Sequence, residues 1–457
     1  MQIFLFLTLL SLFLCESLRF SFIIFRHGAR SPYDDLTSDF TDIFNYTWDG
    51  KKELTGIGQR QHFLIGARHR KRYIEEKKLI SEKYDPREIY VISTDSNRTI
   101  MSAQCQLFGL YSNSNVILNE KQIQNSNPPN IEDSFKNEKE KLKNFVLPNQ
   151  IEIPPIHQFF VKDHTMQLQD KKYCKGHDNL YENNEKRKEV VEFIDDFVKK
   201  YGQFLIDKMR EKPNEKDIKK YYTYKKVYKV LDTLISIYTD GRNISKFEDK
   251  INDLMNLSYH FFYLDFIGNN KENDKNIGIY SMSPTFERII NWMDLKIAKD
   301  KENEKYLGYD MPKLVLFSAH DSTVGAFEEF MYAVFNTSIN YAYFASFANL
   351  ELVKVNDTGV NGSNYEVYYY FDDKFIQKFN YVDFKNKVTK NLKSAEDIAK
   401  YCRFDEIFKQ KIDLLSLIFT IILGFSGIFL IFVNYFVWIK YKKNKGEYKV
   451  SGILTEE

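Results

Sequence analysis

The sequence has no strong excess of charge of either sign. Its 65 Lys and Arg residues against 63 Asp and Glu leave a net charge of +2 over 457 residues. A nucleic-acid binder ordinarily carries a basic excess gathered on one face, so that class of partner is excluded. There is no compact cluster of His, Cys and carboxylate residues at metal-ligand spacing, and no internal repeat that would signal a solenoid or propeller. Cysteine is scarce, at four residues. What remains is an ordinary globular composition, 43% apolar and 28% charged, in a chain long enough for one or two domains with a large core.

Long apolar runs are confined to the two ends. Ile3 to Leu14 is too short to span a bilayer and leads into Cys15-Glu16-Ser17. This is a signal-peptide pattern over residues 1–17, with cleavage expected after Ser17. Leu414 to Ile439 is almost uninterrupted apolar sequence, longer than the ~30 Å hydrocarbon core requires of a helix. Lys440, Lys442, Lys443 and Lys445 follow it directly, as expected on a cytoplasmic flank. The expected organisation is a type I protein: a body over 18–411, one membrane span over 412–439 and a cytoplasmic tail over 440–457. The body is then extracellular or lumenal, in a lysosome or another acidic compartment. Seven Asn-X-Ser/Thr sites fit that topology: Asn45, Asn97, Asn243, Asn256, Asn336, Asn356 and Asn361. With Cys15 removed, three cysteines allow at most one internal disulfide. Cys174 and Cys402 are the expected pair because both lie in polar, loop-like surroundings, whereas Cys105 falls in a helical pattern as a small buried thiol.

Arg19 to Phe25 reads as a buried strand ending at Arg26-His27-Gly28. Thr55 to Tyr73 has a helical alternation with Thr55 as N-cap. Glu88 to Ser93 is a second buried strand, and Asp95 to Tyr111 a helix leaving it. Asn119 to Gln150 is a polar surface insertion, and residues 182–299 are mostly helical. Lys313 to Ser318 is a third buried strand, ending at His320-Asp321, and two late strands cover 344–355 and 365–371. Alternating strands and helices predict an α/β fold with a mostly parallel sheet. The helical stretch, inserted between α/β pieces, predicts a cap.

Three segments place charged groups just past a predicted buried strand: RHGARSP (Arg26 to Pro32), STDSNRT (Ser93 to Thr99) and SAHDST (Ser318 to Thr323). Open α/β sheets put ligand sites at the C-terminal ends of their strands. Converging ends would gather Arg26, Arg30, Arg98, His27, His320 and Asp321. Guanidinium groups bind tetrahedral oxyanions through paired, charge-assisted hydrogen bonds. Three of them exceed what a carboxylate needs and suit a phosphate and the charge of its transition state. A neutral imidazole among them can attack phosphorus. A carboxyl group can then serve as acid in the first step and base in the second, and Asp321 is the best-placed candidate. Gly28 is read as allowing close backbone approach to the ligand. His62 is read as a packed residue at the core edge and His69 as solvated. Arg68, Arg70, Lys71 and Arg72 are read as a wet helix face.

These three segments resemble the signature motifs of the histidine acid phosphatase family, a branch of the phosphoglycerate-mutase-like superfamily. LTGIGQRQHFLIGARHRKRY looks like that family's first helix, and FANLELV resembles a late strand. The likeness runs over most of Phe20 to Phe404. It implies a phosphoglycerate-mutase-like α/β fold with a helical cap at about 182–299, His27 as phosphorylated nucleophile and Asp321 as proton donor. It also implies Arg26, Arg30, Arg98 and His320 as phosphate ligands, a Cys174–Cys402 disulfide, and no metal or other cofactor. Ala29, where some members carry an acidic residue, and the insertion after Asn119 depart from the pattern. The expected activity is acid hydrolysis of small phosphate monoesters. Phytase-like or lysophospholipid phosphatase specificity is an alternative, as is a catalytically inactive anion-binding surface receptor.

Overall fold

The computed structural model describes residues 16–34, 36, 47–112, 117–126, 140–147, 151–159, 174–176, 186–208, 222–242, 251–266, 277–302, 311–355, 364–403 and 429–440. The chain divides into two compact units, Met1–Ile398 and Ala399–Glu457. The first contains a seven-stranded sheet in the order β3-β2-β4-β1-β5-β6-β7, built from β1 (Ser17–Arg26), β2 (Ile89–Thr94), β3 (His157–Phe159), β4 (Leu314–Ala319), β5 (Phe347–Lys354), β6 (Tyr365–Phe371) and β7 (Lys374–Asn380). β3, β2, β4 and β1 run parallel, whereas β5, β6 and β7 are added antiparallel. The expected mostly parallel sheet is therefore a mixed one. β6 and β7 follow the preceding strand through connections too short for a parallel crossover, so each runs antiparallel to its neighbour.

Helices cover both faces. α1 (Gly56–His69) runs into a π-helical segment, Arg70–Glu76; α2 spans Asn97–Leu110 and α3 Glu120–Asn125. Thr55 caps α1, its Oγ1 accepting from the Gly58 N–H at 3.3 Å. Further on come α4 (Lys188–Phe197), α5 (Gln203–Asp207), α6 (Tyr224–Thr239), α7 (Ile251–Phe266), α8 (Ile277–Glu302), α9 (Asp321–Phe335), α10 (Tyr381–Asn391) and α11 (Ala395–Cys402). Phe20, Phe22 and Ile24 of β1 join a core with α8, α9 and α10. Ile23 and Phe25 join a second core with α2 and the π-helical segment. β1 is covered on both sides, which is why its sequence is continuously apolar rather than alternating.

A third apolar cluster ties α4, α5, α6 and α7 together and reaches Ala29, Leu36 and Phe344. These helices fall in the stretch expected to form a helical cap. α8, which the sequence reading assigned to it, packs on the sheet instead through Ile279, Met282, Phe286 and Met293. Two surface expectations are also corrected. His69 is buried and accepts from Gln106 Nε2 at 2.9 Å, because α2 lies across this face of α1. Arg72 leaves the wet face to bond the buried Glu351 at 2.7 Å through both Nε and Nη2.

Cys174 and Cys402 are buried and disulfide-bonded, and Cys105 is a free thiol of intermediate exposure. Residues 1–15 of the expected signal peptide and 412–428 of the expected span lie outside the described residues. Residues 429–440 form a helix with Phe429, Ile431 and Phe436 exposed. Among the described residues no helix is long and apolar enough to cross a membrane.

Candidate active site

β2, β4 and β1 are consecutive in the sheet and parallel, so their C-terminal ends share one edge. The three charged segments leave from those ends. α1 and α2, which follow β1 and β2, pack toward one face, whereas α9, which follows β4, packs toward the other. Loops departing to opposite faces open a crevice between β1 and β4. β5 runs antiparallel to β1 and begins at this edge, adding Phe344 just before its first residue.

His27 is 2% exposed, and its Nδ1 lies 2.9 Å from the Gly28 carbonyl oxygen. A carbonyl only accepts, so Nδ1 carries the proton and Nε2 keeps its lone pair. Burial lowers the His27 pKa well below its ordinary value, and Arg98, Arg26, Arg30 and His320 lower it further. The ring therefore stays neutral in mild acid, the form a nucleophile requires. Its neighbour His320 is 5.7 Å away between ring centroids.

Arg26 and Arg30 are each 1% exposed. Arg26 Nη2 pairs with Asp321 Oδ2 at 2.8 Å, Nη1 donates to the Ala342 carbonyl at 2.8 Å, and the guanidinium lies 4.1 Å from the Phe344 ring centroid. Arg30 donates to both oxygens of Asp232, at 2.7 and 3.3 Å, and the same carboxylate accepts from the Tyr33 N–H at 2.8 Å. Arg98, at the start of α2, meets His320 Nδ1 at 3.2 Å. The Nε groups of Arg26, Arg30 and Arg98 are buried and have no hydrogen-bond partner among the described residues. Unsatisfied buried donors are costly, and three of them at one strand edge could be satisfied by an anion.

Asp321 opens α9 at the same edge. Burial raises its pKa, but Arg26, Arg30 and His320 outweigh that and hold the carboxyl below its ordinary value. An anion bound to those guanidiniums would weaken their hold and favour the protonated acid. Gly28 has a reason other than ligand approach. A Cβ there would stand 2.5 Å from the Gly58 carbonyl oxygen, so the turn after β1 seats on the start of α1.

All six charged residues named from the sequence meet at this edge. Asp232, Phe344 and Tyr33 do so as well, although they were not foreseen. Asp232 lies far along the chain in α6 with no motif around it, and only the fold brings it to Arg30. Thr94 and Thr99 stood inside a quoted motif without an assigned role.

Residues 17–346 match the family described as the histidine phosphatase superfamily (branch 2). The chain belongs to that superfamily. It is 39% identical to human prostatic acid phosphatase over 99 residues, 21% of this chain and 24% of that protein. It is 41% identical to Xenopus laevis lysosomal acid phosphatase over 97 residues, 21% of each chain. Against human lysosomal acid phosphatase the identity is 26% over 322 residues, 68% of this chain and 62% of that protein. The matched stretches thus span less than two thirds of these relatives. Among solved structures, Hafnia alvei phytase in complex with myo-inositol hexakis sulphate has a TM-score of 0.54 at 12% identity, covering 83% of this chain and 98% of that one. Klebsiella sp. ASR1 phytase has a TM-score of 0.50 at 14% identity, covering 83% and 97%. At such identity the likeness concerns the fold.

Proposed function

We propose that this chain is a histidine acid phosphatase that hydrolyses phosphate monoesters through a phosphohistidine on His27. The observation that carries the reading is a neutral His27 with its Nδ1 proton on the Gly28 carbonyl, set among Arg26, Arg30 and Arg98, whose buried Nε atoms have no hydrogen-bond partner among the described residues. Arg26, Arg30 and Arg98 bind the phosphoryl oxygens, with His320 beside them. His27 Nε2 attacks phosphorus as the ester P–O bond breaks, and Asp321 gives its proton to the departing alkoxide. Water then attacks the phosphohistidine, the Asp321 carboxylate takes the water proton, the P–N bond breaks and inorganic phosphate leaves. An acidic optimum follows from the need to load Asp321 with a proton while burial keeps His27 neutral.

The body is placed outside the cytosol, lumenal in an acidic compartment such as the lysosome or extracellular. The signal-like N-terminus, the oxidised Cys174 and Cys402 and the glycosylation signals support this. A single C-terminal span is part of the same proposal, supported by the apolar run to Ile439 and the lysines after it.

The test is hydrolysis of a generic aryl phosphate by the full chain in detergent, from about pH 4 to about pH 8, with His27→Ala alongside. Activity should be highest in acid and absent in the variant. An alkaline quench with labelled substrate should trap phosphate on the wild type alone. Turnover that survives His27→Ala would remove the mechanism.

A further inference from the structure

Both ring nitrogens of His320 are engaged, and their partners fix where its proton sits. Thr99 Oγ1 lies 2.9 Å from the Thr94 carbonyl oxygen and 2.8 Å from that of Ser96. Carbonyls only accept, so the single Thr99 hydroxyl proton is committed to them. The Thr94 hydroxyl, 2.9 Å from Thr99 Oγ1, must then donate to Thr99. Its lone pairs are left for His320 Nε2 at 3.0 Å, so Nε2 carries the proton. Nδ1 becomes an acceptor, and the group it meets at 3.2 Å is Arg98 Nη2, which can only donate. All five contacts agree on one tautomer.

This tautomer has a consequence for anion binding. An oxyanion held by Arg26, Arg30 and Arg98 beside His320 would take the Arg98 Nη2–H that now meets Nδ1, leaving the Nδ1 lone pair facing the anion. Two lone pairs repel unless a proton stands between them. Burial and Arg98 keep the free ring neutral, and a bound negative charge favours the imidazolium. We propose that Thr94 is a positioning residue that pins the His320 proton to Nε2, so that anion binding draws one proton from solvent onto Nδ1. The proposal rests on the anion-site reading given above. The charged groups acting on the ring are Arg98, Asp321, Arg30 and Arg26, with His27 opposite. Asp321 also gains a proton as its arginines are neutralised, and because His320 acts on that carboxyl the counts at position 94 are compared in an Asp321→Asn background, which removes this share.

Calorimetric titration of the full chain with sulfate at about pH 6, in buffers of different ionisation enthalpy, counts protons taken up per anion. Sulfate itself does not titrate there. Thr94→Val cannot accept from Nε2–H, so the proton moves to Nδ1 and donates to the anion directly. In the Asp321→Asn background uptake should fall by about one proton in Thr94→Val and stay at the parent count in Thr94→Ser. Thr99→Val frees the Thr94 hydroxyl to donate to Nε2 and should lower uptake in the same way, which covers the case of a Thr94→Val chain that does not fold. Equal counts in the Asp321→Asn parent and in whichever valine variants fold overturn the proposal. A wild type that shows no saturable sulfate binding overturns the anion-site reading instead.

Discussion

Asp232 is the sharpest test of how α6 serves the site. Its side chain is 3% exposed and that of Arg30 is 1% exposed, and the two share a bidentate contact whose shorter arm is 2.7 Å. Asp232→Ala leaves a buried guanidinium uncompensated, and breaking such a pair costs about 3–5 kcal/mol. The Tyr33 N–H loses its acceptor too, which places the loss toward the upper end of that range. Arg30 would also lose the contact that orients it, and misplacement of a binding group by about 1 Å costs on the order of 10²-fold in rate. Chemical denaturation of the wild type and Asp232→Ala, with and without inorganic phosphate, reads both consequences when combined with kcat/KM on an aryl phosphate. Phosphate should stabilise the variant more than the wild type, since the anion then supplies the counter-charge that Asp232 gave. A variant within about 0.5 kcal/mol of wild type and equally active would refute the reasoning.

Other perturbations follow from the same structure. Gly28→Ala drives a Cβ into the Gly58 backbone, so overpacking should cost about 1–3 kcal/mol and lower kcat by displacing His27, measured by unfolding and steady-state kinetics. Burial pushes the Glu329 carboxyl from 4.5 up to about 8. Between those values the folded chain holds a proton that the unfolded chain has released, so stability falls as pH rises across that window. Glu329→Gln should therefore raise the melting temperature at about pH 7.5, by the equivalent of roughly 3–4 kcal/mol, and leave it unchanged at about pH 4.5. Asn97 completes a glycosylation signal directly before Arg98 and donates to Glu53 at 3.2 Å. Glycopeptide mapping of active protein should find Asn97 bare, and full occupancy would contradict the placement of the site.

The residues proposed to carry the chemistry were legible because each sits at a fixed offset from a buried strand. RHGARSP, STDSNRT and SAHDST announce strand ends by an abrupt change from apolar to charged residues, and that change is local. So was the start of α1, set by the Thr55 cap. The π-helical segment, β3 and β7 carry no comparable local signal, since Lys374–Asn380 is a half-exposed edge strand without apolar alternation. The fate of α8 was open for the same reason: an apolar stripe says that a helix is buried, not against what.

By itself the sequence determined which side chains could act and which strands would present them, because strand burial and residue chemistry are written in short stretches. Tertiary structure alone decided that β2, β4 and β1 would be neighbours and that an α6 carboxylate would hold Arg30. It also decided which way the His320 proton would point. These depend on contacts between residues separated by about two hundred positions, and a chain records such contacts only once it has folded.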